Sequence, residues 1–488
     1  MTLRALARGS LLFTAANLVP RLGAFLLLPL VTRVLGQPAF GTVSLAASGA
    51  FLLGIGLRLG VDMALLRLHF DVEGRDRRDL YGTAAVISVA AAAAVLCGGL
   101  LAIGAVIPAA AAAVAVLALA TGVLSTFQYL PSVWLRATER PMPYFLLSCG
   151  SFAASAAGTG VLVVAIPLGA AGAVAAQLLG VAVPAVAAAV LIGRLRPWRV
   201  RPELARRALG FGLPLLPYAL GGWLLNVSDR WMLGLLLGLA SAETLAAVGV
   251  YSLGYQLGYA VGLAAISFNA AWLPLFYRLG EGPTGKALLR AMMTVVLAAA
   301  TVLAVLAAAL APELVLLIAG PEWRAASDVA AVVAFASVAN AAGLMLAGVL
   351  FLTRRTRLVP VLTLAAAAAN VTANVVLIPE LGIMGAAWSS LLAYAVLAAA
   401  SWLAARRRYP VALDWVRLGG VVAIGVSVVV AARGTGPAGG TLAGGAWHLL
   451  LALVGAVAIV LVARPAFVVL RALLRAPEAA AGGAAAVG

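Results

Sequence analysis

Two arginines in this chain are placed where an arginine is costly. Arg21 and Arg230 each lie inside a long apolar segment. Each follows an asparagine four positions earlier, as Asn17-Leu-Val-Pro-Arg21 and Asn226-Val-Ser-Asp-Arg230. An arginine at the centre of a bilayer costs about 2.5 kcal/mol or more, so it usually faces a wet cavity and serves a function. A guanidinium offers a planar fork of donors that suits phosphate and diphosphate. An asparagine one helical turn away adds a donor to the same face. The chemistry these pairs could do is anion binding, and the chain carries it twice. The plain alternative is structural, an arginine bonded to a helix carbonyl.

Other intramembrane groups could join them. Arg58 and Asp62 are four apart and could pair along one helix face; otherwise Asp62 exchanges partners during transport. Asp229 adjoins Arg230 in sequence and so points away from its face, where it could neutralise another cation or bind a coupling ion. Tyr251, Tyr255 and Tyr259 recur every four residues. That stripe suits stacking on sugars, or helix packing with interhelical hydrogen bonds, which is slightly favoured. Gln128, Gln177, Asn340, Asn370 and Asn374 read singly as interhelical hydrogen-bonding groups. Cys97 and Cys149 read as small core residues, and no metal-ligand cluster or nucleotide-binding loop is present. Gly285-Lys286-Ala287 lacks both the leading glycines and the hydroxyl of a phosphate loop. No cofactor is implied, and the chain does not read as an enzyme.

The elements that must hold these residues are membrane helices. Of 488 residues, 64% are hydrophobic and 10% charged, with mean hydropathy +1.11. Apolar stretches of bilayer length fall at roughly 11–33, 41–66, 82–107, 111–135, 143–166, 170–192, 211–238, 248–275, 288–311, 329–351, 358–378, 385–404, 416–432 and 446–464, which predicts about 14 transmembrane helices. The basic start continues into an apolar run past Arg21 without a cleavage signal, so the first helix is expected to be retained.

The net charge of +17 would suggest nucleic acid in a soluble protein, but the positions of the charges say otherwise. With the N-terminus inside, nearly all Lys and Arg fall on that side, at 67–78, 136–140, 194–207, 278–290, 354–357, 406–417 and 464–475. The opposite loops keep only Arg33, Arg324 and Arg433. This is a positive-inside pattern with both termini cytoplasmic. The basic loops are expected to meet anionic membrane lipids.

The chain also repeats itself. Phe40-Gly-Thr-Val-Ser-Leu-Ala46 echoes Val248-Gly-Val-Tyr-Ser-Leu-Gly254, and Asn17/Arg21 echo Asn226/Arg230. Ile166-Pro-Leu-Gly-Ala-Ala-Gly172 echoes Ile378-Pro-Glu-Leu-Gly-Ile-Met-Gly385, and Arg140-Pro-Met-Pro143 echoes Arg357-Leu-Val-Pro360. The offsets agree closely, and an even number of spans fits in one period. The halves therefore run in parallel, about an axis along the membrane normal. The expected organisation is an N-lobe over 1–200 (spans 1–6), a C-lobe over 201–410 (spans 7–12), an extra apolar pair over 411–475, and an Ala/Gly-rich tail over 476–488 without structure.

Taken together, Gly9-Ser-Leu-Leu-Phe-Thr14, Arg21, Leu26-Leu-Leu-Pro-Leu-Val-Thr-Arg-Val-Leu-Gly36 and Gly60-Val-Asp-Met-Ala-Leu-Leu-Arg67 resemble the polysaccharide transporter (oligosaccharide flippase, Wzx-type) family of the MOP superfamily. So do Gly212-Leu-Pro-Leu-Leu-Pro217 and Ser228-Asp-Arg-Trp-Met-Leu-Gly234 in the second half, and the likeness spans about 9–410. It implies two lobes forming a V around a central cavity that holds Arg21, Arg58 and Arg230. It further implies a flippase for undecaprenyl-diphosphate-linked oligosaccharide, working by alternating access in surface polysaccharide assembly (O-antigen, exopolysaccharide or capsule), in a bacterial plasma membrane. Partners would be the lipid-linked oligosaccharide, an H+ or Na+ counter-ion, and polymerase or glycosyltransferase machinery. Lipid II flippase is the alternative, because fourteen spans also resemble that relative. A cation-coupled multidrug exporter is disfavoured by a basic cavity and by the lack of an acid in the first span. A membrane glycosyltransferase is disfavoured by the short outer loops.

Overall fold

In lipid a chain must satisfy its backbone hydrogen bonds within itself, so apolar runs of this length become helices. The computed structural model describes residues 3–196, 199–238, 241–435 and 441–485; within these, the side chains of 3–11, 14, 17, 110 and 474–485 lie outside the description. Among the described residues no strand occurs. The helices are α1 (Leu3–Leu26), α2 (Leu28–Arg58), α3 (Val61–Leu68), α4 (Gly74–Val106), α5 (Ala109–Ser125), α6 (Tyr129–Ala137), α7 (Pro141–Thr159), α8 (Gly169–Leu195), α9 (Pro202–Gly212), α10 (Leu216–Val227) and α11 (Asp229–Leu237). They continue as α12 (Ala242–Leu279), α13 (Pro283–Ala309), α14 (Ala311–Ile318), α15 (Ala326–Leu352), α16 (Leu358–Leu381), α17 (Ile383–Arg406), α18 (Trp415–Thr435) and α19 (Leu442–Ala485).

Among the described residues, thirteen helical segments are long and apolar enough to cross a membrane, and they coincide with spans 2–14. The first span is α1 with its continuation. Leu27 N–H bonds Gly23 O and Val31 N–H bonds Leu27 O, so helical bonding carries on past Leu26. The turn into the second span comes at Gly36, whose φ of +71° departs from the helix.

The second span departs from its expected limits. It was read as one helix over 41–66, but α2 ends at Arg58 and α3 starts at Val61 after Leu59 and Gly60, both with positive φ. The seventh span bends where its prolines stand, in a 3-10 turn at Leu213–Leu215. It is interrupted again at Ser228, whose hydroxyl bonds Leu224 O at 2.6 Å. Such a back-bond bends helices. The tail expected to lack structure instead continues α19 as far as Ala485; alanine has the highest helix propensity of all residues.

The repeat recurs in local geometry. Gly169 and Gly382 take φ of +59° and +55° at equivalent turns. Three residues on, a Cβ on Gly172 would strike Leu162 O and one on Gly385 would strike Leu377 O, so each turn folds its helix tightly back on the one before. The helix ends that precede the two Arg-x-x-Pro motifs also match. Arg140 N–H bonds Leu135 O and Arg355 N–H bonds Leu350 O, both at 2.8 Å. Thr138 and Thr353 each bond the carbonyl four residues back through their hydroxyls.

Two compact units are distinguished: Met1–Trp223 with Ala240–Gly249, and Leu224–Leu239 with Val250–Gly488. In the first, α2, α5, α7 and α8 pack together, with α1 against α7. The echoed glycines of the Phe-Gly and Val-Gly motifs meet there: a Cβ on Gly41 would strike Leu245 O, and one on Gly249 would strike Gln37 O. In the second unit α13 and α15 form the buried centre, with α16 and α17 beside them. The α18/α19 pair packs on α13 through Val421, Val429, Ala452, Ile459 and Ala463, all buried. The other face of α19 exposes Leu450, Leu453, Val454, Val457 and Leu461, as expected of a lipid-facing helix.

Candidate functional site

The second unit gathers its polar groups around α11. Asp229, the first residue of that helix, is fully buried. One carboxylate oxygen accepts bonds from the Tyr251 hydroxyl on α12 and the Ser390 hydroxyl on α17, both at 2.7 Å. The other accepts from Asn374 Nδ2 on α16 at 2.7 Å. Asn374 Nδ2 is shared with Asn370 Oδ1 at 3.1 Å, one turn earlier on the same helix. Asn374 Oδ1 and Asn370 Nδ2 are buried without a hydrogen-bond partner. Three helices thus converge on the one α11 carboxylate, and neutral donors satisfy it.

Arg230 turns away from that network, as adjacent helix positions must. It is half-buried, and its guanidinium lies 4.8 Å from the centre of the Tyr255 ring. Among the described residues it has no carboxylate within 4 Å. Its charge is steadied by a π-face and remains open to an anion. Asn226, four residues before it, accepts a 2.7 Å bond from the Tyr394 hydroxyl of α17.

The tyrosine stripe divides by burial. Tyr251 and Tyr255 are 0% and 4% exposed, while Tyr259 is half-buried. The rings are 5.8 and 5.7 Å apart, the second pair stacked. Sugar stacking at Tyr251 is therefore corrected: no face is open, and the hydroxyl is committed to Asp229. Packing accounts for Tyr251 and for most of Tyr255, and only Tyr259 keeps an accessible face.

In the first unit Arg21 is exposed on α1 and makes no ion pair or hydrogen bond among the described residues. The Asn17 side chain lies outside the described residues. Arg58 is half-buried, and its Nη2 donates to Ser125 O on α5 at 3.3 Å. Its Nε is buried without a hydrogen-bond partner. The Arg58–Asp62 pair that one continuous helix would allow does not form, because the break at Leu59–Gly60 puts Asp62 on α3 and shifts its angular position. Cys97 is exposed, not a core residue, on the apolar surface of α4. Ser390 and Tyr394 are site residues that sequence reasoning missed. Their spacing of four on an apolar helix was the available signal, shared with Asn370 and Asn374.

The family model described as polysaccharide biosynthesis protein matches residues 6–279, more than half of the chain. The chain belongs to this family. Among curated protein sequences none matches it. Solved structures share its all-helical fold. It is similar to the lipid II flippase MurJ in an inward closed conformation, at a TM-score of 0.71 and 12% identity, over 95% of this chain and 100% of that one. It is similar to a multidrug resistance MATE family transporter in an inward-facing conformation, at a TM-score of 0.61 and 16% identity, over 81% and 95%. A MATE structure in complex with MaD3S follows at a TM-score of 0.56 and 17% identity, over 86% and 96%. At these identities the likeness speaks for the fold.

Proposed function

We propose that this chain is a flippase that moves undecaprenyl-diphosphate-linked oligosaccharide from the inner to the outer leaflet of a bacterial plasma membrane, for surface polysaccharide assembly. One observation carries this reading. Arg230 lies within an apolar helix, while the adjacent Asp229 is satisfied by Tyr251, Ser390 and Asn374 and so does not neutralise it. A membrane-embedded cation kept without a carboxylate fits a substrate that brings its own negative charge. A diphosphate matches the guanidinium fork. Asn226 is the supporting donor of Arg230, and Tyr259 stands toward the sugars; in the first unit Arg21, likewise without an ion pair among the described residues, with Asn17 and Arg58, offers an anion-binding set of its own. Membership in a polysaccharide biosynthesis family supports the substrate class. The substrate crosses without a bond being broken.

Asp229 is the residue at which an H+ or Na+ counter-ion would couple, and Asp62 is a lesser candidate. The Asp229 carboxylate, Asn374 Oδ1 and the Ser390 hydroxyl supply the oxygen set a hard cation takes. A lipid II flippase is the second reading, favoured by a fold shared over nearly the whole chain with a lipid II flippase and by the α18/α19 pair. A cell-based assay of leaflet distribution tests both. In strains lacking either activity, this chain at matched expression is expected to clear inner-leaflet lipid-linked oligosaccharide. Rescue of lipid II export alone would select the second reading, and rescue of neither would overturn both.

A further inference from the structure

The strongest feature outside that site is a pocket at the Arg-rich end of the second unit. It encloses about 460 Å³ between the start of α13, the segment 410–414, the first turns of α18, and α19 near Pro465. Lys286, Arg290 and Thr294 line it from α13 at successive intervals of four, so they form one stripe on that helix. Arg417 faces them from α18.

The charges in this pocket do not cancel. Asp414 pairs with Arg417 at 2.7 Å. Lys286 and Arg290 have no carboxylate within 4 Å among the described residues. Lys286 Nζ lies 5.7 Å from the centre of the buried Tyr409 ring. Burial pushes the Tyr409 hydroxyl up to about 12, so the ring stays neutral and does not offset the lysine. Two positive charges therefore point into a cavity the size of a small headgroup site.

Its surroundings put it at headgroup depth. Trp402 and Trp415 stack edge to face at 4.9 Å close by, and Trp at helix ends marks the membrane interface. The lining residue Val469 and its neighbour Val468 are exposed. The pocket thus sets half-buried Lys286 and exposed Arg290 beside apolar helix surface, the profile of a headgroup with acyl chains attached. A free phosphate would make no use of the apolar rim.

We propose that this pocket binds the phosphodiester of an anionic glycerophospholipid, with Lys286 and Arg290 as its contacts. The test uses the purified full chain in neutral detergent. It is titrated with phosphatidylglycerol, phosphatidylcholine or inorganic phosphate, and bound lipid is counted by native mass spectrometry. Wild-type protein is expected to retain phosphatidylglycerol over phosphatidylcholine. Lys286→Gln/Arg290→Gln should lose roughly tenfold in that affinity. Ala412→Trp, at an exposed lining position, fills the pocket without changing its charge and should lose as much. It keeps the test open if the double variant does not fold. Arg324→Gln removes a positive charge elsewhere and should bind as wild type. Wild-type affinity in both pocket variants overturns the proposal. So does inorganic phosphate that displaces phosphatidylglycerol at equal concentration, which would make this a free-phosphate site. The readout is lipid retention and does not depend on flipping.

Discussion

Arg230 shows how a single residue's neighbours set its role. Had Asp229 paired with it, the two would have been a neutral local unit. Asp229 instead draws its bonds from three other helices. Replacing Arg230 with Ala removes a charge-assisted contact worth about 1.5–3 kcal/mol, and so should slow flipping roughly tenfold or more at unchanged membrane insertion. Arg230→Lys keeps the charge but loses the fork, and should fall between. The same order is expected at Arg21. The check is lipid-linked oligosaccharide on the inner leaflet at matched expression; wild-type rates in Arg21→Ala and Arg230→Ala would mean both arginines are structural. Arg433, an outer-loop residue by sequence, is no silent control. It bonds Asp328 at 2.8 Å and Ser327 O at 2.9 Å, tying α18 to α15. Arg324, exposed and without an ion pair among the described residues, serves better. Asp229→Leu removes the acceptor for three interhelical bonds, each worth about 0.6 kcal/mol in a membrane, and should lower the unfolding temperature. Asp229→Asn keeps the shape. It should leave folding nearly intact while abolishing the dependence of flipping on the counter-ion gradient; a retained gradient dependence would exclude Asp229 as the coupling site.

At the scale of elements, close backbone contacts and end caps decide where helices turn and meet. Gly41 and Gly249 sit where a Cβ would overlap a carbonyl of the facing helix. Gly41→Val or Gly249→Val should cost about 1–3 kcal/mol, read as a lower melting temperature in detergent. Gly98→Ala, in an open stretch of α4, should be neutral or gain about 0.5–1 kcal/mol. The end of α3 carries a pH-sensitive contact. His69 is buried, its Nδ1 is 2.9 Å from the Tyr81 hydroxyl, and Trp134 stands edge-on to its ring. Burial, then Arg77, lowers its pKa below the ordinary 6.5. The folded state therefore prefers the neutral ring. The stability this contributes is complete above the unfolded value near 6.5 and falls away as pH drops below it. Melting temperatures from pH ~7.5 down to ~5 should decline in the wild type. The decline should be shallower in His69→Gln, and identical slopes would remove His69 as its source.

For the whole molecule, the apolar pattern and the internal echoes carry most of the architecture. Both copies of the Ile-Pro echo place a glycine at positive φ, and both Arg-x-x-Pro echoes follow the same helix end. A duplicated sequence was solved by duplicated local geometry. The α18/α19 pair stands outside the repeat and covers α13 with small and branched residues. Deleting 411–475 uncovers Ala298, Val305 and Ala309. Lipid tolerates such a face, so the remaining spans should still insert, with a lower melting temperature and reduced flipping. Full complementation of a flippase-deficient strain by the truncation would show that the pair is dispensable for transport.

What the sequence determined by itself was local or periodic. Helix length follows from runs of apolar residues and repeat from matched motifs; neither needs a distant partner. What only the tertiary structure decided was which polar groups meet. Asp229 finds donors 22, 145 and 161 residues away, and no spacing rule along one helix reaches them. Arg58 and Asp62 satisfied such a rule and still failed to pair, because Leu59 and Gly60 take left-handed conformations that reset the helical phase. The tyrosine stripe was legible as a face, but whether that face met sugar or protein depended on Asp229 and Arg230 of α11 and Tyr394 of α17 meeting it. In lipid, apolar surface alone selects no particular neighbour. The choice rests on close packing and on the few polar groups that must find one another, and these are properties of the folded chain.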